Sequence, residues 1–235
     1  MTKTGVEEGS MSMEQLIRVF DRKRDPYMEW HDGPSLQEVD SAMAGLAPEE
    51  RAEASRLVAE RIRNGYDPYL GRAAEILGTD ECRNALNEVL ASGPGSYGAG
   101  NIARNILTMG RSEDAVAALR SIVGNRSLGW PERIDALVNL KIAIDSSGGS
   151  RPITDFITPE FETVIFEALS DDDYLVRYHA AEALLKAAGD KTELSDHKEL
   201  FSYICGKHAV DGTPDDADRE GFRRAAEILR NILEK

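Results

Sequence analysis

Five segments of this chain repeat one pattern, and that repetition limits its architecture more than any other feature. "DPYLGRAAEILG" (67–78), "GAGNIARNILTMG" (98–110), "PERIDALVNLKIAI" (131–144), "DYLVRYHAAEALLKAAG" (173–189) and "REGFRRAAEILRNI" (219–232) each hold an alanine-rich core and a closing leucine. The leucines Leu77, Leu107, Leu140, Leu184 and Leu229 are 30, 33, 44 and 45 residues apart. A period of that size accommodates two helices and their turns, with loops absorbing the variation. Within the segments apolar residues recur at i, i+3, i+4 and i+7, which gathers them on one helical face, and no useful run alternates as a half-buried strand does. A chain with only helices to bury packs helix on helix.

The periodicity predicts twelve helices, over 12–20, 35–44, 48–63, 67–77, 80–91, 97–109, 113–123, 131–145, 159–169, 172–188, 196–205 and 215–233. Their starts carry Ser or Thr followed by acidic or Pro residues, in "TDE" at 79, "SED" at 112, "TPE" at 158 and "TPDD" at 213, because side-chain oxygens there satisfy free backbone N–H groups. Stops fall at Gly65, Gly78, Gly110 and Gly189. Between the five repeating segments lie partner helices such as "DECRNALNEVLASG" and "TPEFETVIFEALSD", and the one long spacer is "SSGGSRPITD" at 146–155.

The run D-x-x-V-R-x-x-A-A-x-A-L, followed by Gly-Asp, resembles the HEAT-like repeats of phycobilin lyases. "DDYLVRYHAAEALLKAAGD" carries it most specifically, "DPYLGRAAEILGTDECRNALNEVL" well and "REGFRRAAEIL" fairly, while the units at 98 and 131 are degenerate. The resemblance covers residues 64–235 as about four and a half units and leaves 1–63 as an N-terminal helical extension or cap. It implies an all-α fold, a right-handed α-solenoid of antiparallel helix pairs whose concave face binds a partner protein.

Charge narrows the class of partner. The chain has 28 basic and 42 acidic residues, a formal net charge of -14. Residues 1–50 contribute -6 (5 basic, 11 acidic), 51–160 contribute -1 (13 and 14) and 161–235 contribute -7 (10 and 17). Nucleic acids and anionic membranes repel such a surface, so the expected partner is a basic protein. No stretch approaches the roughly 18 apolar residues of a membrane span, the first residues lack the pattern of a signal peptide, and a cytoplasmic location is expected. Cys82 and Cys205 are the only cysteines, outside any C-x-x-C, and are expected as buried, reduced thiols.

Motifs that suggest chemistry have plainer structural readings. "GPGSYG" at 93–98 matches G-x-G-x-x-G but follows a helical segment rather than a strand, which fits a link between helices and not a dinucleotide cradle. "CGKHAVD" spaces Cys205, His208 and Asp211 by three, yet lacks a fourth zinc ligand. Among HEAT-like enzymes deoxyhypusine hydroxylase holds iron with His-Glu pairs; this chain has no His-Glu dipeptide, and its nearest analogue is Tyr178-His179. No metal, cofactor or catalytic residue is therefore assigned. Asp171, Asp172 and Asp173 are expected to cap a helix, with Arg177 bonding an acidic cap or a loop carbonyl of the adjoining repeat. Trp130 is expected to pack between units.

Glu81, Glu88, Glu113, Asp114, Glu162, Glu167 and Glu199 fall on the partner helices, as a solvated face or as an acidic surface for a basic ligand. Of these, Glu162, Glu167 and Glu199 are the expected contacts. Tyr27 and Trp30, in "FDRKRDPYMEWHDGPSL", join them as an aromatic recognition element unless that segment is the terminal cap. The expected function is non-catalytic protein binding, resembling a bacterial immunity or inhibitor protein. The alternatives are an enzyme, a chromophore lyase or hydrolase using His179, Cys205 or His208, and an assembly scaffold or adaptor.

Overall fold

The computed structural model describes residues 13–21 and 36–234. Twelve α-helices occupy them: α1 (Met13–Asp21), α2 (Leu36–Ala44), α3 (Pro48–Asn64), α4 (Pro68–Leu77), α5 (Asp80–Ala91), α6 (Ser96–Met109), α7 (Glu113–Gly124), α8 (Trp130–Ser146), α9 (Pro159–Ala168), α10 (Tyr174–Ala187), α11 (Lys198–Cys205) and α12 (Asp216–Leu233). Two short 3-10 turns, Ile153–Asp155 and Leu194–Asp196, precede α9 and α11. Among the described residues there is no strand and no helix long and apolar enough to cross a membrane. Every helix lies within two residues of its predicted bounds.

The caps explain that agreement. Thr79, Ser112 and Thr158 accept the backbone N–H of Cys82, Ala115 and Phe161 at the starts of α5, α7 and α9. At α12 the cap is Asp215, which accepts from Asp218, rather than Thr213. Gly78 closes α4 at φ 63°, a left-handed conformation that a side chain would oppose.

Packing divides the chain into two units, Met1–Ser92 and Gly93–Lys235. The break falls at the "GPGSYG" stretch, which connects helix to helix. In the first unit α2 packs on α4 and α3 on α5. In the second, α6, α8, α10 and α12 form one row in which each helix packs on the next, and α7 and α9 lie together against it. Corresponding ends meet along the row: Gly100 near the start of α6 lies against Asp135, Ala136 and Asn139 of α8, Lys141 of α8 pairs with Glu182 of α10, and Arg219 of α12 pairs with Asp172 just before α10. The row is therefore parallel. Its buried positions include Ile102, Ile106, Leu107, Leu137, Leu140, Ala180, Ala181, Leu184 and Leu229, among them the phasing leucines of this unit.

Two buried arginines lock the row. Arg177, fully buried, donates to the carbonyls of Asp171 and Asp172 in its own approach loop and to those of Ile204 and Ala209 beyond it, with its guanidinium 4.3 Å from the Phe222 ring centroid. Burial lowers its pKa against the pull of Asp171 and Asp173. Arg133 in α8 donates to Val123 O at the end of α7 and reaches Asp171 Oδ2 at 2.7 Å. The three aspartates are thus not equivalent caps. Asp173 caps α10, accepting from Leu175 and Val176; Asp171 is the buried partner of Arg133; and exposed Asp172 pairs with Arg219.

Removing a charged group from such a site leaves several carbonyls without donors, and breaking a buried pairing of this kind costs about 3–5 kcal/mol. Arg177→Ala is therefore predicted to lose stability of that order in urea unfolding. Arg177→Lys should recover only part, because an ammonium cannot reproduce the planar fork. Arg223→Ala, at an exposed position of α12, should change stability by less than about 0.5 kcal/mol.

Candidate functional site

Helix α9 turns Phe161, Ile165 and Ala168 into the core. The same periodicity leaves Glu162 and Glu167 exposed and Phe166 half-buried. The last turn of α12 and the loop before α9 complete a groove of about 620 Å³, lined by Ile153, Pro159, Glu162, Phe166, Glu167 and Leu233, together with Thr163, Arg230 and Glu234. Arg230 lies over the Phe166 ring, 4.8 Å from its centroid. The groove therefore has an apolar floor, one cation held against an aromatic face and three carboxylates. Glu162 and Glu167 enter no ion pair among the described residues.

Two of the five expected contacts meet here. Glu199, on α11, does not line this groove; it accepts a 3.3 Å hydrogen bond from the Tyr203 hydroxyl. Tyr27 and Trp30 lie outside the described residues. Two other acidic positions on partner helices are paired, Glu88 with Arg63 of α3 at 2.6 Å and Glu113 with the nearby Arg111 at 3.4 Å.

A second polar region runs between α8 and α10. Glu182 is paired with Lys141, and His179 Nδ1 lies 3.4 Å from the same carboxylate oxygen. Burial acts to raise the Glu182 pKa, but the closeness of His179 and the hydrogen bond and charge of Lys141 outweigh it and bring it to about 2. Glu182 is thus ionised at neutral pH and has no proton to exchange. One turn further, Lys186 lies 3.6 Å from Asp145 at the mouth of a cavity of about 630 Å³ between the C-terminal ends of α8 and α10. Arg151 in its wall pairs with Asp155 and stacks on Phe156, and Asp190 is engaged by His197 at 3.0 Å. Lys191 also lines this cavity and enters no ion pair among the described residues.

The groups capable of nucleophilic chemistry are arranged differently from a catalytic set. Thr192 Oγ1 and Asp190 Oδ2 approach the same His197 nitrogen, Nε2, at 2.8 and 3.0 Å, whereas a triad places base and orienting acid on opposite ring nitrogens. Cys205 is half-buried, a correction to the expected buried thiol, and sits beside Tyr174, whose pKa burial and Cys205 push up to about 12. Cys82 is buried, and its Sγ donates to Ser55 O. His208 is exposed, and no hydrogen bond joins it to Cys205 among the described residues. No group of three or more His, Cys, Asp or Glu side chains among those residues could hold a metal ion.

Sequence reasoning missed the Lys141–Glu182 pair, although aligning Leu140 with Leu184 places Glu182 opposite Val138, one turn from Lys141. It also missed Arg230, Leu233 and Glu234, for which the repeat pattern supplies no signal. A folded-state pKa of about 2 against the ordinary 4.5 means that the Glu182 contribution is fully present above about pH 4.5 and is lost as pH falls toward 2. The shift corresponds to about 3 kcal/mol at most. Urea midpoints should therefore fall more steeply between pH 5 and 2.5 in the natural protein than in Glu182→Gln; parallel curves would contradict the assignment. Compared with family models, curated proteins and solved structures, the chain finds no match in any of the three.

Proposed function

We propose that the chain is a non-catalytic, protein-binding α-solenoid of HEAT-like helix pairs, and that the groove between α9 and α12 receives a basic segment of a partner protein. The observation that carries this reading is the pairing state of the carboxylates. Glu182, Asp171 and Asp190 are engaged by basic side chains of the protein itself, whereas Glu162 and Glu167 stand exposed over an apolar floor. Ionised groups at a rim, around a surface that gains from losing water, are the composition of a protein-recognition site. The parallel row of α6, α8, α10 and α12, backed by α7 and α9, supports the helix-pair reading. The net charge of -14 supports a basic partner. The corresponding role is that of a cytoplasmic inhibitor or immunity protein covering the active site of a basic protein.

Capture on the immobilised full chain from a lysate of the native host, followed by association kinetics with the captured protein, tests the proposal. The partner should be basic, and its on-rate should fall about tenfold or more as salt rises from 0.1 to 1 M and the Debye length shortens from about 10 to about 3 Å. Glu162→Lys combined with Glu167→Lys should slow association more than it speeds dissociation. Recovery of a pigment or nucleic acid in place of a basic protein would overturn the reading, as would kinetics indifferent to both salt and charge reversal.

A further inference from the structure

The cavity between the C-terminal ends of α8 and α10 carries positive charge that the fold leaves unused. Its wall holds three cations, Arg151, Lys186 and Lys191, against two carboxylates, Asp145 and Asp190, in a chain whose net charge is -14. Asp190 is turned to its own loop, accepting from Thr192 N at 2.9 Å and Thr192 Oγ1 at 2.7 Å beside His197. Asp145 meets Lys186 only at 3.6 Å, and Lys191 enters no ion pair among the described residues. Arg151 gives Nε to Asp155 and Nη1 to Leu107 O, but its buried Nη2 has no hydrogen-bond partner among the described residues. A buried donor without an acceptor is costly, and an acceptor entering with a ligand would relieve it. Cations at a helix C-terminus have a structural explanation, since they face the negative end of the dipole. It accounts for Lys186, in the last turn of α10, but Lys191 follows that helix by four residues and Arg151 follows α8 by five. The last carbonyls of both helices are already met by the returning chain: Ser147 and Gly148 donate to Ile144 and Asp145, and Gly189 and Asp190 to Lys186 and Leu185.

We propose that this cavity binds a small organic anion, an apolar body ending in a carboxylate or phosphate, with Lys186, Lys191 and Arg151 around the charged head. The site is separate from the groove between α9 and α12 and goes beyond the reading of that groove, on which it does not depend. At about 630 Å³ the cavity has the size of a small-molecule pocket, in which apolar walls hold the body and a few polar groups fix its orientation. Ile144, Ile153, Phe156 and Ala187 supply the apolar wall. The two ammonium groups act as point charges, which suit either head. The guanidinium is pre-positioned by Asp155 and by the Phe156 ring, 4.4 Å from its centroid. A cationic ligand would meet three like charges in the wall. A polyanion would have to lie across a surface that repels it, whereas a single head inside the cavity meets the cationic lining first.

Calorimetry on the full chain tests this with 1-naphthoate and 1-naphthyl phosphate as probes, against 1-naphthalenemethanol, 1-naphthylmethylammonium and inorganic phosphate. At least one naphthyl anion should bind saturably, one per chain, and about tenfold or more tightly than the neutral alcohol, the cation or inorganic phosphate. The tighter of the two anions identifies the head group. Lys191→Glu, at an exposed position, should weaken binding about tenfold. Arg126→Glu makes the same change of charge just before α8, about 25 Å away along that helix, and should alter affinity by less than about twofold. Asp145→Asn should tighten binding about threefold, because it frees Lys186 and removes a like charge from the wall. Unchanged circular dichroism and melting temperature confirm that the variants fold. The inference is overturned if neither anion binds, if the alcohol or the cation binds as well as the anions, if Lys191→Glu and Arg126→Glu weaken binding alike, or if Asp145→Asn loosens it.

Discussion

The second unit is organised around a charge that water cannot reach. Arg177 carries a guanidinium into the interior, where its hydrogen-bonding partners are four main-chain carbonyls from three stretches of chain. A buried cation tolerates few arrangements of its surroundings, because a donor left unpaired there costs far more than a little extra apolar packing can offset. The loop before α10, the end of α11 and the turn after it are therefore fixed with respect to one another. Arg133 repeats the device one helix earlier, and Asp171 joins the two, accepting from Arg133 through its side chain and from Arg177 through its carbonyl. Apolar packing of alanine and leucine lets the helices approach; the arginines select one register.

The helices are legible in the sequence because their determinants are local. Thr79, Ser112 and Thr158 begin them through bonds to residues three positions on, and Gly78 ends one through its own conformation. The parallel row is legible one level up, through leucines that recur with the unit. The pairings are not. Asp171, Asp172 and Asp173 are chemically identical and adjacent, yet one is buried against Arg133, one is exposed against Arg219 and one caps a helix. Only the three-dimensional positions of residues 133 and 219 distinguish them. Trp130 shows the same limit from the other side: tryptophan preceding a helix-opening proline suggests burial, while the geometry at the first position of α8 leaves the ring half in water. For the groove, Glu162 and Glu167 follow from helix phase, but the wall built by Arg230, Leu233 and Glu234 depends on where the last helix ends.

The carboxylates divide into two populations with different physical work. Those of Glu182 and Asp171 are half-buried or buried and neutralised by partners from neighbouring helices, so their ionisation is tied to the folded state. Those of Glu162 and Glu167 face water, contribute little to folding and shape the field outside the molecule. Division of this kind lets the external charge vary while the internal pairs keep the framework intact.

Gly100 sets the first step of the row. Its missing side chain allows α6 to rest directly on Asp135 and Ala136, whose atoms lie 3.0 and 3.9 Å from where a Cβ would be. On the α8 side of that contact Asn139 holds Asp135 Oδ2 at 2.9 Å. A methyl group at position 100 would act as a shim, pressing on Asp135 and Asn139 and parting the first two helices of the row. The pitch of the row at its first step is thus written into a residue that has no side chain at all, and the absence of one carbon holds two helices at their distance.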